Sequence, residues 1–264
     1  MNKRLVYYWF VPCKSSNSCF SNTNTRNSCD INRFEQLHLN CLKHYSNVFD
    51  SAVILLSVED GAAIEDVQFV REKLLQCGFN KLEILVCSNN SFLCECEFWK
   101  QYVIENCEDF DGITFYYQTK GITHKFSNSM VDWATALYFF NLNNEPLLSN
   151  KNEYVSSGAF FYDRPNGDYI YSGNAYWVNH NNIKKWYEIN GGSPNDYNLV
   201  NRFAAEDYFF RTFPPHLSLP IGKPVMSCDD YNDCQGHIFS SFETEQIKQY
   251  MDFKYNIALK GITL

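Results

Sequence analysis

Four short apolar runs constrain this chain more than any other feature: RLVYYWFV (4–11), SAVILLSV (51–58), KLEILVC (81–87) and GITFYY (112–117). Each has the length of a buried strand. Between them lie segments with helical spacing of apolar residues, over about 32–45, 64–77 and 95–106, the second closed by Gly78. Strands of this kind alternating with helices predict a mostly parallel sheet covered by helices on both faces, an α/β, Rossmann-like architecture. Ligands in such open sheets sit at the carboxyl ends of the strands, which directs attention to the residues after Tyr117.

The pattern changes beyond Gly121. A helix is expected over 129–141, then two aromatic strands over 154–162 and 169–178 joined by the turn-forming Arg164-Pro165-Asn166-Gly167. Short helices over 181–187 and 204–212 follow, and the stretch 243–258 reads as a packing or lid helix. This aromatic-rich C-terminal half is α+β in character. No repeat is present, so 1–264 reads as a single domain with two halves, 1–121 and 122–264.

Charge narrows the partners. With 22 basic against 30 acidic residues the net charge is −8, which excludes the electrostatic footprint of a general nucleic-acid binder, so an anionic ligand must be met by local cations. No apolar run approaches the ~18 residues of a membrane span, so no transmembrane segment is expected. The basic pair at 3–4 precedes an aromatic run too short and too aromatic for a signal peptide. Eleven cysteines, an odd number scattered over elements and loops, point to reduced thiols in a cytoplasmic setting. Aromatics make up 17% of the chain, and the 18 tyrosines suit positions dry at one end and wet at the other, as sugar faces and nucleobases require.

Three segments carry candidate chemistry. Gln118-Thr119-Lys120-Gly121-Ile122-Thr123-His124-Lys125 is a glycine-containing turn that sets Lys120, His124 and Lys125 after the fourth strand, where a diphosphate could lie. It is not a P-loop, lacking the glycine-rich amide cradle. In Tyr171-Ser172-Gly173-Asn174-Ala175-Tyr176-Trp177, Gly173 permits close backbone approach and Asn174 offers both donors and an acceptor. Tyr176 and Trp177 must face opposite sides of a strand, so one ring is expected in the core and one on a cleft. In Arg202-Phe203-Ala204-Ala205-Glu206-Asp207-Tyr208, the acidic pair opens an apolar helix and could serve as a general base, its pKa raised by burial and lowered by Arg202; ordinary helix-start acids are the alternative. The stretch Cys228 to His237 matches neither zinc nor calcium spacing and reads as a polar surface loop.

These motifs in order, with VDWATALYFFN (131–141) between the first and second, resemble a family of bacterial-type glycosyltransferases with a GT-A-like fold. That family carries a strand ending in His-Thr-Lys-Gly, a helix with a central Trp, a Ser-Gly-Asn-Phe-Trp-Trp segment, and an Arg followed by a Glu before an aromatic. The similarity spans roughly 105–212. This sequence has Gln118 in place of the His, and Ala175 and Tyr176 in place of Phe and Trp.

The resemblance implies transfer of a sugar from a nucleotide-sugar donor, a UDP- or GDP-sugar, to a hydroxyl of a glycan acceptor, as in polysaccharide biosynthesis. Residues 1–121 would bind the donor and 122–264 the acceptor. Lys120 would hold the diphosphate, assisted by Thr119, His124 and Lys125. Glu206, or failing it Asp207, would be the base of an inverting displacement. Gly173, Asn174, Tyr176, Trp177 and Arg202 would bind or orient sugar, while Asp132 and Trp133 would support the cationic turn. Many GT-A enzymes hold a metal on an Asp-x-Asp after the fourth strand; Gln118-Thr119-Lys120 stands there instead, so no metal ligand or cofactor is assigned, and a divalent ion (Mn²⁺ or Mg²⁺) bound elsewhere stays open. Asp109-Phe110-Asp111 precedes the strand and reads as a turn. The rivals are a non-catalytic glycan- or nucleotide-sugar-binding module and, more weakly, a glycoside hydrolase, which needs two carboxyl groups flanking one bond.

Overall fold

The computed structural model describes residues 1–14, 28–89, 94–104, 110–119, 122, 124–144, 153–163, 169–171, 173–193, 196, 208–209, 211–223 and 234–263. Its first half follows the expected alternation: β1 (Asn2–Val11), α1 (Ser28–Tyr45), β2 (Ser51–Val58), α2 (Ile64–Leu75), β3 (Leu82–Ser88), α3 (Cys94–Trp99, running on as a π turn over Lys100–Ile104) and β4 (Gly112–Gln118). These four strands are parallel, with Tyr7 of β1 beside Ile54 of β2 and Tyr117 of β4. Residues 4–11 of β1 are buried, because the strand is central and covered on both faces, whereas edge strand β3 is half-open.

The second half completes the same sheet. After α4 (Asn128–Leu142) come β5 (Ser156–Ala159), β6 (Phe161–Asp163), β7 (Tyr169–Tyr171), β8 (Tyr176–Asn179), α5 (His180–Asn190) and β9 (Ser218–Ile221), and the seven-stranded order is β3-β2-β1-β4-β8-β5-β9. Strand β8 runs antiparallel to both β4 and β5. Two helices, α6 (Cys234–Ser241) and α7 (Thr244–Phe253), precede a π turn over Lys254–Ala258 that packs on α1 and α4. The 243–258 stretch is thus a packing element, with Tyr250, Phe253 and Lys254 buried.

The two aromatic strands expected over 154–162 and 169–178 are each broken. Phe160 adopts φ 56° and divides β5 from β6; Gly173 (φ 85°) and Asn174 (φ 53°) divide β7 from β8. A left-handed residue reverses the pleat locally, so the outer pieces β6 and β7 pair only with each other while β5 and β8 join the main sheet. Phe160 is fully buried, which makes its positive φ a constraint imposed by packing on an aromatic residue.

Polar groups are few in the core and mostly partnered. The Tyr7 hydroxyl lies 3.0 Å from His38 Nδ1 and 2.7 Å from the Tyr138 hydroxyl, tying β1 to α1 and α4. Cys41 and Cys77 are buried thiols, and burial pushes the latter up to about 11. No helix of the described residues is long and apolar enough to cross a membrane.

At the amino end of the sheet, His180 is fully buried with Nε2 2.7 Å from Thr114 Oγ1, which also accepts from Arg4 Nε at 3.3 Å. Burial, reinforced by the Arg4 charge, depresses the imidazole from 6.5 to about 3. The unfolded chain therefore binds a proton between these values that the folded chain refuses. Stability contributed by neutral His180 is full above pH 6.5 and falls at about 1.4 kcal/mol per pH unit as the pH drops toward 3. His180→Gln should flatten that acid slope in urea-unfolding free energies measured from pH 7 to 4; an unchanged slope would assign the acid sensitivity to other groups.

Candidate active site at the carboxyl end of the sheet

From β1 the chain moves outward to β2 and β3, then returns to place β4 on the other side of β1. The crevice outside the carboxyl ends of β1 and β4 is therefore the topological switch point of the sheet. Thr119 closes that crevice. Its backbone N–H donates to Tyr8 O at 3.0 Å, and its Oγ1 accepts from Phe10 N at 2.9 Å. The exit of β4 is thereby fixed to β1 through the last residue before Lys120.

Lys120 itself, with Gly121 and Thr123, lies outside the described residues. Downstream, Ile122 is buried, His124 half-buried and Lys125 exposed. Phe126 returns to the core, its ring 4.8 Å from that of Phe34 on α1, and Ser127 caps α4 by accepting from Met130 N at 3.4 Å. The cationic segment is thus anchored on β1 at one end and on α1 and α4 at the other.

The second motif arrives at the same end through strand direction. Antiparallel pairing sets Tyr176 against Tyr116 and Val178 against Thr114, so the start of β8 faces the carboxyl end of β4. Asn174, two residues before β8, sits in the turn that leads into this strand start, its N–H donating to Tyr171 O at 3.2 Å. Gly173 is required here on two grounds: its φ is positive, and a Cβ would lie 2.6 Å from Leu137 Cδ1 and 3.2 Å from Trp133 Nε1 on α4. The sequence places Trp133 one helix turn beyond the cationic segment, and the structure brings it under the Gly173 elbow.

Tyr176 and Trp177 differ from expectation. They do face opposite sides of β8, but both sides are covered, and the two rings are 1% and 0% exposed. The Tyr176 hydroxyl accepts from Trp99 Nε1 at 2.7 Å, and Trp177 Nε1 donates to Asn141 O at 3.0 Å, with its ring 5.2 Å from that of Phe115. Neither ring lines a cleft. A strand pattern cannot reveal this, since a wet face and a second packed face read alike when both carry aromatics.

Arg202, Glu206 and Asp207 lie outside the described residues. The two residues that follow are buried and anchored: Tyr208 packs 5.2 Å from Trp99, and Phe209 5.1 Å from Tyr176. Residues 208 and 209 thus pack on α3 and on the start of β8.

Asp132, one position before Trp133, is a buried carboxylate with several partners. Lys254 Nζ lies 2.6 Å and the Tyr250 hydroxyl 2.7 Å from its Oδ1, while Gln235 Nε2 donates to Oδ2 at 3.0 Å. Four elements, α4, α6, α7 and the terminal π turn, meet on this one side chain.

Sequence reasoning missed a further cluster at the carboxyl end of β1. Lys14 bridges Glu35 of α1 at 2.9 Å and Asp66 of α2 at 3.0 Å. Burial lowers the ammonium pKa, and the two carboxylates more than offset this, leaving it raised; burial also leaves the Glu35 carboxyl raised despite Lys14. No local pattern announces a contact between a loop lysine and two separate helices. A cleft of about 570 Å³ opens at the carboxyl ends of β2 and β3, lined by Glu59, Gln68, Arg71, Val86 and Ser88 among others, and by no residue of β4. Among the described residues, no three His, Cys, Asp or Glu side chains are grouped to hold a metal ion.

No protein-family model and no curated protein matches the chain. Among solved structures it is similar to the nucleoside-diphosphate-sugar pyrophosphorylase from Vibrio cholerae RC9, at 12% identity over 77% of this chain and 85% of that one, with a TM-score of 0.37. A similarity this weak carries no argument about the function of the chain.

Proposed function

We propose that this protein is a glycosyltransferase that moves a sugar from a UDP- or GDP-sugar to a hydroxyl of a glycan or glycoconjugate. The observation that carries the reading is the pairing of Tyr176, at the start of β8, with Tyr116 near the end of β4, which brings the turn holding Gly173 and Asn174 to the end of the sheet at which Thr119 is clamped to β1. Two sequence motifs separated by some fifty residues thereby share one end of one sheet, and a third approaches it through Phe209. The resemblance of the same motifs to GT-A-like glycosyltransferases supports it independently.

In this reading Lys120, with His124 and Lys125, neutralises the diphosphate. Glu206, with Asp207 as the alternative, accepts the proton of the acceptor hydroxyl as its oxygen bonds to the anomeric carbon. The bond from that carbon to the diphosphate oxygen breaks, its electron pair leaves with the nucleotide, and the anomeric centre inverts. Lysine cations at the switch point take the charge that a carboxylate-bound metal carries in other enzymes of this kind. The hydrolase reading is weaker, because hydrolysis has no use for a cationic turn at this point.

The test is a thermal-shift titration with UDP, GDP and their sugars, with Mn²⁺ or with EDTA. A ligand at one hundred times its Kd stabilises the folded state by about 2.7 kcal/mol. The expected result is a clear rise in Tm with one nucleotide series, unchanged by EDTA. Absence of any nucleotide effect would remove the donor assignment, and loss of the effect in EDTA would remove the role given to Lys120.

A further inference from the structure

We propose that two copies of this chain associate through strand β3, pairing antiparallel about a twofold axis at Leu85 and joining their two sheets into one. The inference does not rest on the transferase reading. The two edges of the sheet differ in protection. At one end β9 is four residues long and contains Pro220; at the other, β3 runs unbroken beside β2 from Leu82 to Ser88, with no proline and no bulge. A long, regular edge of this kind presents a row of unpaired backbone groups, a template for pairing that monomeric proteins blunt. Lys81 O accepts from Ala52 N at 2.8 Å and Asn89 N donates to Val58 O at 2.7 Å, so both of these residues turn toward β2. By alternation along the strand, the N–H and C=O of Leu82, Ile84, Val86 and Ser88 turn outward.

A second copy of the same strand satisfies this row. With the axis at Leu85, Leu82 of one copy meets Ser88 of the other and Ile84 meets Val86, so each outward-facing residue finds an outward-facing partner. The side chains agree with that register. Val86 shares a cleft with Ile64, Gln68 and Arg71 of α2, yet it is 53% exposed, and Ile84 of the other copy would lie beside it. Helix α2 is self-complementary about the same axis. Ile64 and Leu75, 67% and 62% exposed, bracket Gln68 and Arg71 at helical spacing, and antiparallel helices set Ile64 opposite Leu75 of the other copy and Gln68 opposite Arg71. Charge follows the same polarity: Glu65 and Asp66 stand in the first turn and Lys73 in the last, so the acidic end of each helix meets the basic end of the other. A foreign extended peptide would pair with the strand but leave the stripe on α2 uncovered, which is why the occupant is a second copy.

The experiment is sedimentation velocity over a series of chain concentrations on the wild type, Val86→Lys, Val86→Pro and Ile64→Lys, with circular dichroism of each variant to check the fold. Val86 and Ile64 are exposed, so a lysine at either position is solvated in the single chain. Proline at position 86 removes an N–H that faces away from β2 and spares the chain's own ladder. The expected result is a wild type of twice the chain mass at micromolar concentration, with each variant raising the dimer dissociation constant about a hundredfold or more, because the symmetry places every substitution in the interface twice. A wild type that stays at the mass of one chain throughout the series would overturn the inference. A dimer that withstands Val86→Lys and Val86→Pro would overturn it as well, by placing the contact on another surface. Should Val86→Pro fail to fold, the two lysine variants decide: loss of the dimer with both supports the paired edge, and its survival in either refutes it.

Discussion

Lys254→Met lowers the unfolding free energy by about 3–5 kcal/mol, the cost of leaving one member of a buried ion pair without the other. Lys254 is 2% exposed and Asp132 1%, so no water replaces the lost ammonium. The Tyr250 hydroxyl and Gln235 amide remain on the carboxylate, but as neutral donors they do not compensate a full charge. Asp132→Asn in the Lys254→Met background removes the charge and keeps an acceptor for Tyr250, so the double variant should recover at least half of the loss. Urea midpoints at constant m-value measure both. A single variant within about 1 kcal/mol of wild type would mean that the pair is solvated and that the terminal π turn does not hold α4. The consequence for the site is direct, because Trp133 adjoins Asp132 and supports the Gly173 elbow.

How much of this was legible beforehand differs between the halves for physical reasons. A strand buried on both faces must be apolar throughout, so the runs at 4–11, 51–58 and 112–117 announced β1, β2 and β4 with little error in their ends. The helix expected over 129–141 is observed as Asn128–Leu142. The aromatic half was less legible, because its breaks depend on the sign of φ. Gly173 advertises a positive φ, but Phe160 adopts one only because tertiary packing imposes it, and residue type gives no warning. The site shows the same division. That the turn at 118–125 leaves the carboxyl end of β4 follows from alternation of elements alone. That Asn174 stands at the same end required the antiparallel insertion of β8, and Trp177 in the core required both faces to be covered. Contacts such as Lys14 with Glu35 and Asp66 join three distant segments and have no trace in local spacing.

On the proposed transferase reading, Glu206→Gln should lower the turnover of sugar transfer by about 10²–10⁴-fold, the range lost when a positioned general base is removed. Glutamine has nearly the same shape and hydrogen-bonds the acceptor hydroxyl but cannot take its proton, so the Kd of the nucleotide sugar should stay within about threefold of wild type. The acid limb of the kcat/KM profile should vanish with the carboxylate. Asp207→Asn should cost far less, since it leaves the base in place. On the same reading Lys120→Ala should behave differently: losing the cation should weaken binding of the bare nucleotide diphosphate as well as slow transfer, because the charge it would meet is present in both ground state and transition state and grows in the latter. The pairing of the two variants is what discriminates between classes of protein. A binding module shows no release of nucleotide diphosphate from wild type and no change in affinity with Glu206→Gln. A hydrolase frees the sugar to water without an acceptor and tolerates Lys120→Ala. A transferase requires the acceptor, loses turnover with both variants, and loses nucleotide affinity with only one. Glu206→Gln retaining more than about a tenth of wild-type turnover would move the base elsewhere, with Asp207 the next residue to test on a chain whose following residues, Tyr208 and Phe209, are already fixed against Trp99 and Tyr176.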